Sequence, residues 1–244
     1  MNQYAKVMGI PFPKITLDRT VELLSQVIEQ KRPELFHVIT VNPEITMACQ
    51  KDESLRSIVD EAGLITADGI GIVLVSRIRG GGIPERVTGY DTLLRLLDSG
   101  NEKGWSFYFL GADAATNEKC CDVISVTYPN VNIAGRHHGY FKPENEGAIV
   151  EEIAGLKPDV LVVALGAPYA ERWIHQYKGK LGAKIAIGVG GSLDVIAGKV
   201  KETPEVWKRL NIEWLYRLLQ QPSRWRRQLV LPRFAVRALL FREK

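Results

Sequence analysis

A chain of 244 residues with 45% hydrophobic and 25% charged content can bury the core of one large α/β domain, or of a domain plus an appendage, and general disorder is excluded. No charged-then-apolar leader follows Met1 and no apolar run approaches a membrane span, so the expected setting is the cytoplasm; Cys49, Cys120 and Cys121 fit neither a disulfide framework nor a zinc-ligand spacing. The net charge of +4 is uneven: ten Lys or Arg and two Glu between 208 and 244 make that stretch strongly basic and leave the rest net acidic.

The first predicted element is a helix: Thr16 can cap it, and Leu17, Val21, Leu24 and Ile28 recur at helical spacing on one apolar face. Buried strands are predicted over 35–41, 64–66, 105–110, 131–134, 160–165 and 184–189, each followed by turn-forming or small polar residues and then a helix. This alternation predicts an α/β domain over residues 1–203, a mostly parallel Rossmann-like sheet with covering helices. Residues 204–244 read as a helical, basic appendage in which Trp214, Tyr216, Trp225, Phe234 and Phe241 interleave with cations, a composition suited to docking on an anionic membrane. There Arg224 and Arg227 can share a helix face, while Trp225, Leu229, Val230, Phe234, Leu239, Leu240 and Phe241 supply apolar area to face lipid.

Open parallel sheets bind ligands beyond the carboxyl ends of their strands, so the residues after each run are where chemistry is sought. Thr40 and Asn42 alternate on one strand end and face the same side, yet Asn42 before Pro43 equally suits a helix cap. Asp68, between small residues after the second run, has the accessibility and rigid support of a general base, or else caps the next helix. Arg86 follows a Gly80-Gly81-Gly82 loop and taken alone reads as a solvated surface arginine. His137 and His138 are adjacent and point different ways, which disfavours a metal, while Tyr140 beside Gly139 can stack on a base or lie partly buried. Gly188-Val189-Gly190-Gly191-Ser192-Leu193-Asp194 joins a strand to a helix, where backbone N–H groups cradle phosphate. Leu193 replaces the third glycine of a dinucleotide fingerprint, and the lysine of a P-loop is absent.

No Asp-x-Asp, His-Glu-x-x-His or Gly-x-Ser-x-Gly occurs, which argues against several hydrolases and against metal-chelating nucleotide-sugar transferases. Read together, Thr40-Val41-Asn42-Pro43-Glu44, Ala67-Asp68-Gly69, Pro84-Glu85-Arg86-Val87-Thr88-Gly89-Tyr90-Asp91, His138-Gly139-Tyr140-Phe141, Ala164-Leu165-Gly166-Ala167-Pro168 and the Gly188 to Asp194 motif resemble, in order, the WecG/TagA/CpsF glycosyltransferase family. Glu213-Trp214-Leu215-Tyr216-Arg217 resembles the appendage of its TagA-like branch, whose members make the linkage unit of wall teichoic acid.

The resemblance implies inverting transfer of a sugar, typically N-acetylmannosamine, from its UDP donor to N-acetylglucosamine on undecaprenyl diphosphate, by a peripheral protein at the cytoplasmic membrane face. It implies Asp68 as general base with Thr40 and Asn42 in the acceptor pocket, Tyr140 and Asp194 near the uridine, and Arg86, Arg217, Arg224 and Arg227 near the diphosphates. Gly188, Gly190, Gly191 and Ser192 join them as the phosphate-cradling backbone. One departure is Ala170, where family members commonly carry Gln before the Glu, here Glu171; the donor is open to another UDP-sugar, such as UDP-glucose or UDP-N-acetylmannosaminuronate. With no Asp-x-Asp to hold a metal, arginines and Gly-rich backbone are expected to meet the charge of departing UDP without metal or cofactor. Two rivals are weaker: a nucleotide-dependent oxidoreductase, against which the incomplete glycine fingerprint counts, and a nucleic-acid binder, disfavoured by the acidic remainder and the Leu, Val and Phe of the tail. Assembly into a homo-oligomer is left open.

Overall fold

The chain starts with an antiparallel hairpin that the sequence pattern does not announce, β1 (Tyr4–Val7) and β2 (Ile10–Pro13), turned by Met8 and Gly9, both at positive φ. The computed structural model describes residues 3–30, 34–210, 212–220, 222, 225 and 229–242. The six predicted runs are β3 (Phe36–Val41), β4 (Leu64–Ala67), β5 (Ser106–Gly111), β6 (Asn132–His137), β7 (Val160–Ala164) and β8 (Ile185–Gly188). All are parallel, in the order β4-β3-β8-β7-β5-β6. β6 runs three residues past the predicted end, so His137 closes the strand instead of opening the loop.

Burial on both faces explains why these strands are continuous apolar runs. On one face, α1 (Leu17–Glu29) and three later helices, α5 (Gly89–Lys103), α6 (Ala114–Thr127) and α9 (Ser192–Ile196), cover Val38, Phe107, Phe109, Val162 and Ile187. Thr16 caps α1 by accepting from the Arg19 N–H, and Val21, Leu24 and Ile28 are buried as predicted. On the other face the hairpin, α2 (Pro43–Cys49), α3 (Glu53–Asp60) and α4 (Ile70–Ile78) pack over Ile39, Val41 and Ile65. Beside them α7 (Glu146–Leu156) and α8 (Tyr169–Tyr177) pack over Tyr108, Leu161 and Ala186.

Beyond β8 come α10 (Glu205–Arg209), α11 (Glu213–Gln220) and α12 (Val230–Leu240). The expectation that Phe234 and Phe241 face lipid is corrected here. Phe234 and Ala238 are buried in the cluster formed by α2, α4 and the hairpin, and Phe241 packs against it. Gly71 makes the room: a Cβ there would lie 3.3 Å from Phe234 Cε1. An aromatic ring gains more from such a dry fit than from a wet surface. Arg79 then ties the end of the helix down by donating to the Leu239 carbonyl at 3.2 Å and to that of Phe241. Trp225, Leu229, Leu239 and Leu240 remain exposed. Among the described residues no helix is long and apolar enough to cross a membrane.

The chain leaves β3 toward the face of α2 and leaves β8 toward the opposite face, that of α9. Adjacent strands whose connections part in this way open a crevice at their carboxyl ends.

Candidate active site

Asp68 stands at that end of the sheet because two loops lock together beneath it. Its own N–H donates to the Val41 carbonyl at 2.9 Å. The next residue, Gly69, has φ +150 and lies so close to Pro43 that a Cβ would be 2.8 Å from the proline Cδ. Only glycine fits there, and the contact brings the Asn42-Pro43 corner against Asp68-Gly69. Gly69, not Asp68, occupies the N-cap of α4. The Asp68 carboxylate instead turns to α5, where Oδ2 accepts from the Gly89 N–H at 3.4 Å, at the positive end of a 15-residue helix.

Thr40 is buried, and its hydroxyl donates to the Gly188 carbonyl at 3.4 Å, joining the ends of β3 and β8 across the crevice. Gly89 wedges against both: a Cβ on it would lie 3.2 Å from Thr40 Oγ1 and 3.3 Å from the Gly188 oxygen. Asn42 is a helix cap, its Oδ1 accepting from Ile45 N–H at 2.9 Å, which leaves the amide N–H groups as its donors.

Arg86 is no solvated surface arginine. Its loop is stitched down on both sides: Val87 N–H donates to Ala67 O and Thr66 Oγ1 donates to Val87 O, each at 3.0 Å. Earlier in the loop, Ile83 N–H reaches Ser76 Oγ at 3.1 Å and Glu85 accepts from Leu17 N–H at 2.6 Å. The Arg86 guanidinium pairs with Glu213 Oε2 at 2.7 Å. Burial works against its charge, but Glu213, with Asp68 and Asp91 beyond, outweighs burial and holds its pKa above the ordinary value.

The remaining predicted residues are more scattered. Gly190 and Gly191 are exposed after β8, whereas Ser192 is buried, its hydroxyl donating to Val189 O at 2.6 Å and so turned away from a ligand. Asp194 lies 3.5 Å from Lys199 Nζ, which also binds Asp113 at 2.6 Å and holds that carboxyl well below the usual range. Tyr140 is 81% exposed beyond β6, at the opposite edge of the sheet from Asp68. Five strand spacings, roughly 24 Å, separate the two strands concerned. Arg224 and Arg227 lie outside the described residues, as does the side chain of Arg217, whose backbone belongs to α11.

From residue 5 to residue 244 the sequence matches the model of the Glycosyl transferase WecG/TagA/CpsF family. The chain belongs to that family. Among curated relatives it is 36% identical over 238 residues to the Bacillus subtilis N-acetylglucosaminyldiphosphoundecaprenol N-acetyl-beta-D-mannosaminyltransferase, covering 97% of this chain and 91% of the relative. It is similarly 37% identical over 202 residues to the Bacillus spizizenii enzyme of the same name, 83% of this chain and 78% of the relative. A Staphylococcus aureus enzyme of that name matches at 31% over 213 residues, 87% and 83% of the two chains.

In this WecG/TagA/CpsF glycosyltransferase two groups stand at the crevice without a role assigned from sequence. Glu213 is one of only two acidic residues between 208 and 244, which is the signal that marks it. Glu171 carried no signal beyond its place in the Gly166-Ala167-Pro168 segment. It is 3% exposed, Oε1 lies 2.9 Å from where a Gly188 Cβ would be, and Oε2 has no hydrogen-bond partner. Burial pushes its carboxyl up to about 7. Ala170 beside it is buried and presents no polar group to the crevice.

Proposed function

We propose that the enzyme transfers N-acetylmannosamine from its UDP donor to the 4-hydroxyl of N-acetylglucosamine on undecaprenyl diphosphate. Kinship with transferases named for that reaction supports the substrates. The observation that carries the chemistry is one carboxylate, Asp68, set at the positive end of α5, with the fixed Arg86 cation close enough for its charge to be favoured by that carboxylate. Asp68 takes the proton of the acceptor hydroxyl as its oxygen forms a bond to the anomeric carbon. The bond from that carbon to the diphosphate breaks on the opposite side, and UDP departs with the electron pair and the configuration inverts. Thr40 and the Asn42 amide orient the acceptor. Arg86, Arg217, Arg224 and Arg227, with the exposed Gly190-Gly191 backbone, meet the growing charge, and the loops carrying Tyr140 and Asp194 receive the uridine.

Residues 204–244 serve as the appendage that completes this site and holds the enzyme on the cytoplasmic face of the membrane. Supporting the docking role, Trp225, Leu239 and Leu240 stay exposed on the tail, and Leu74 and Ile78 stay exposed on α4, against which α12 packs. The deciding experiment offers a panel of UDP-sugars with a short-chain lipid diphosphate-N-acetylglucosamine analogue and weighs the product by mass spectrometry. A product gained only from UDP-N-acetylmannosamine supports the reading. Transfer from another sugar alone reassigns the donor, consistent with Ala170, and no transfer from any donor overturns the assignment.

A further inference from the structure

Among the described residues, the one side chain that pairs with Arg86 comes from the far end of the chain. The Arg86 and Glu213 side chains are 21% and 10% exposed, so the pair is largely withdrawn from water. Of the three carboxylates that favour the Arg86 charge, Glu213 acts most strongly, and it alone belongs to the carboxyl-terminal segment. It stands at the first position of α11, where the helix dipole favours a negative charge. Around it, Thr88, Tyr90 and Asp91 at the start of α5 and the stretch 200–203 line a cavity of about 20 Å³, room for one water. The contact therefore joins three pieces: the loop that carries Arg86, the helix that faces Asp68, and the start of the appendage.

We propose that Glu213 is a positioning residue that fixes the Arg86 guanidinium beside Asp68 and, through the same contact, docks α11 on the active site. The proposal rests on Arg86 being a cation for the donor's diphosphate. Glu213 is engaged through Nη1 at 2.7 Å, and a guanidinium carries five N–H donors in a planar fork, so one carboxylate does not exhaust what Arg86 can offer to phosphate oxygens. A long side chain pinned at one corner loses less freedom when a diphosphate arrives. Position 217 lies one helical turn beyond 213, so the contact also sets which face of α11 turns toward the crevice.

The test uses the full chain and four variants: Glu213→Gln, Glu213→Ala, Arg86→Ala and the double alanine. Hydrogen exchange over 213–220 reports docking, and kcat/KM for the UDP-sugar with a water-soluble acceptor reports chemistry. Glu213→Ala is expected to speed exchange and to lower kcat/KM, each by at least about tenfold. Glu213→Gln, which keeps the shape and an acceptor, should restore the exchange protection and part of the activity. In the Arg86→Ala background, Glu213→Ala should add less than about a twofold loss, because the two act as a unit. Fully additive losses overturn the proposal, since Glu213 would then act without Arg86, and so do unchanged exchange and kinetics in Glu213→Ala. Failure of the underlying reading looks different. Arg86→Ala would then transfer at the normal rate, removing the catalytic half, while exchange alone decides the docking half.

Discussion

Replacing Glu171 with Gln removes one titration from the interior. Burial, with Glu44 adding repulsion, lifts this carboxyl from 4.5 to about 7, against a partly offsetting hydrogen bond from its own backbone. Between those values the native chain keeps a proton that the unfolded chain has released. Stability therefore falls as pH rises from 4.5 through 7 and levels off on either side. The fall amounts to about 3 kcal/mol at 1.36 kcal/mol per pKa unit. Every other titration is common to the two proteins, so their difference isolates this one. Urea unfolding of both across about pH 4.5 to 8 should show the Gln variant gaining about 3 kcal/mol relative to the wild type over that window. Parallel stability curves would mean that Glu171 is already ionised at the acid end, and the claim of a dry carboxyl with an unpartnered Oε2 would fall.

Asp68→Asn should cut turnover by about a hundredfold or more with circular dichroism and melting unchanged, the scale of losing a general base; near-normal turnover would remove Asp68 from the mechanism. Phe234→Ala should destabilise the chain by about 3 kcal/mol or more, because the ring is fully buried against Gly71 and cannot be replaced by collapse of a helix backbone. Thermal unfolding measures it, and a melting temperature within a degree of wild type would place the ring at the surface. Transfer activity should survive EDTA, since arginines and backbone N–H groups carry the charge of the leaving group; complete loss restored by Mg²⁺ or Mn²⁺ would show that a metal supplies it.

The six parallel strands were legible because two-sided burial writes itself as runs of Val, Ile, Leu and Phe. The amino-terminal hairpin was not: Pro11 and Pro13 disguise β2, and its turn places Met8 at φ +51 where Asn or Gly is the usual sign. Asp68 and Arg86 were legible as individual residues at a strand end and in a glycine loop. Their juxtaposition, and the pairing of Arg86 with Glu213, join positions far apart in the chain, which local periodicity cannot encode. Phe234 was misjudged because an apolar helix face bordered by arginines has the same pattern whether it covers a protein core or a lipid surface. What decides the matter is the missing side chain at Gly71, about 160 residues upstream.

The burial of Phe234 and Ala238 in one cluster with Ala5, Val7, Ile10 and Phe12 means that the hairpin and α12, the first and last described elements, close the same region of core. During synthesis the amino-terminal hairpin emerges first and then waits. The strands and helices on the other face can consolidate as they appear, but the cluster beneath α12 lacks Phe234 and Ala238 until that helix leaves the ribosome. A chain stopped short by premature termination or nicked before residue 230 would carry an open apolar surface, the kind that chaperones and proteases recognise. The presence of α12 is thus inspected by the fold itself.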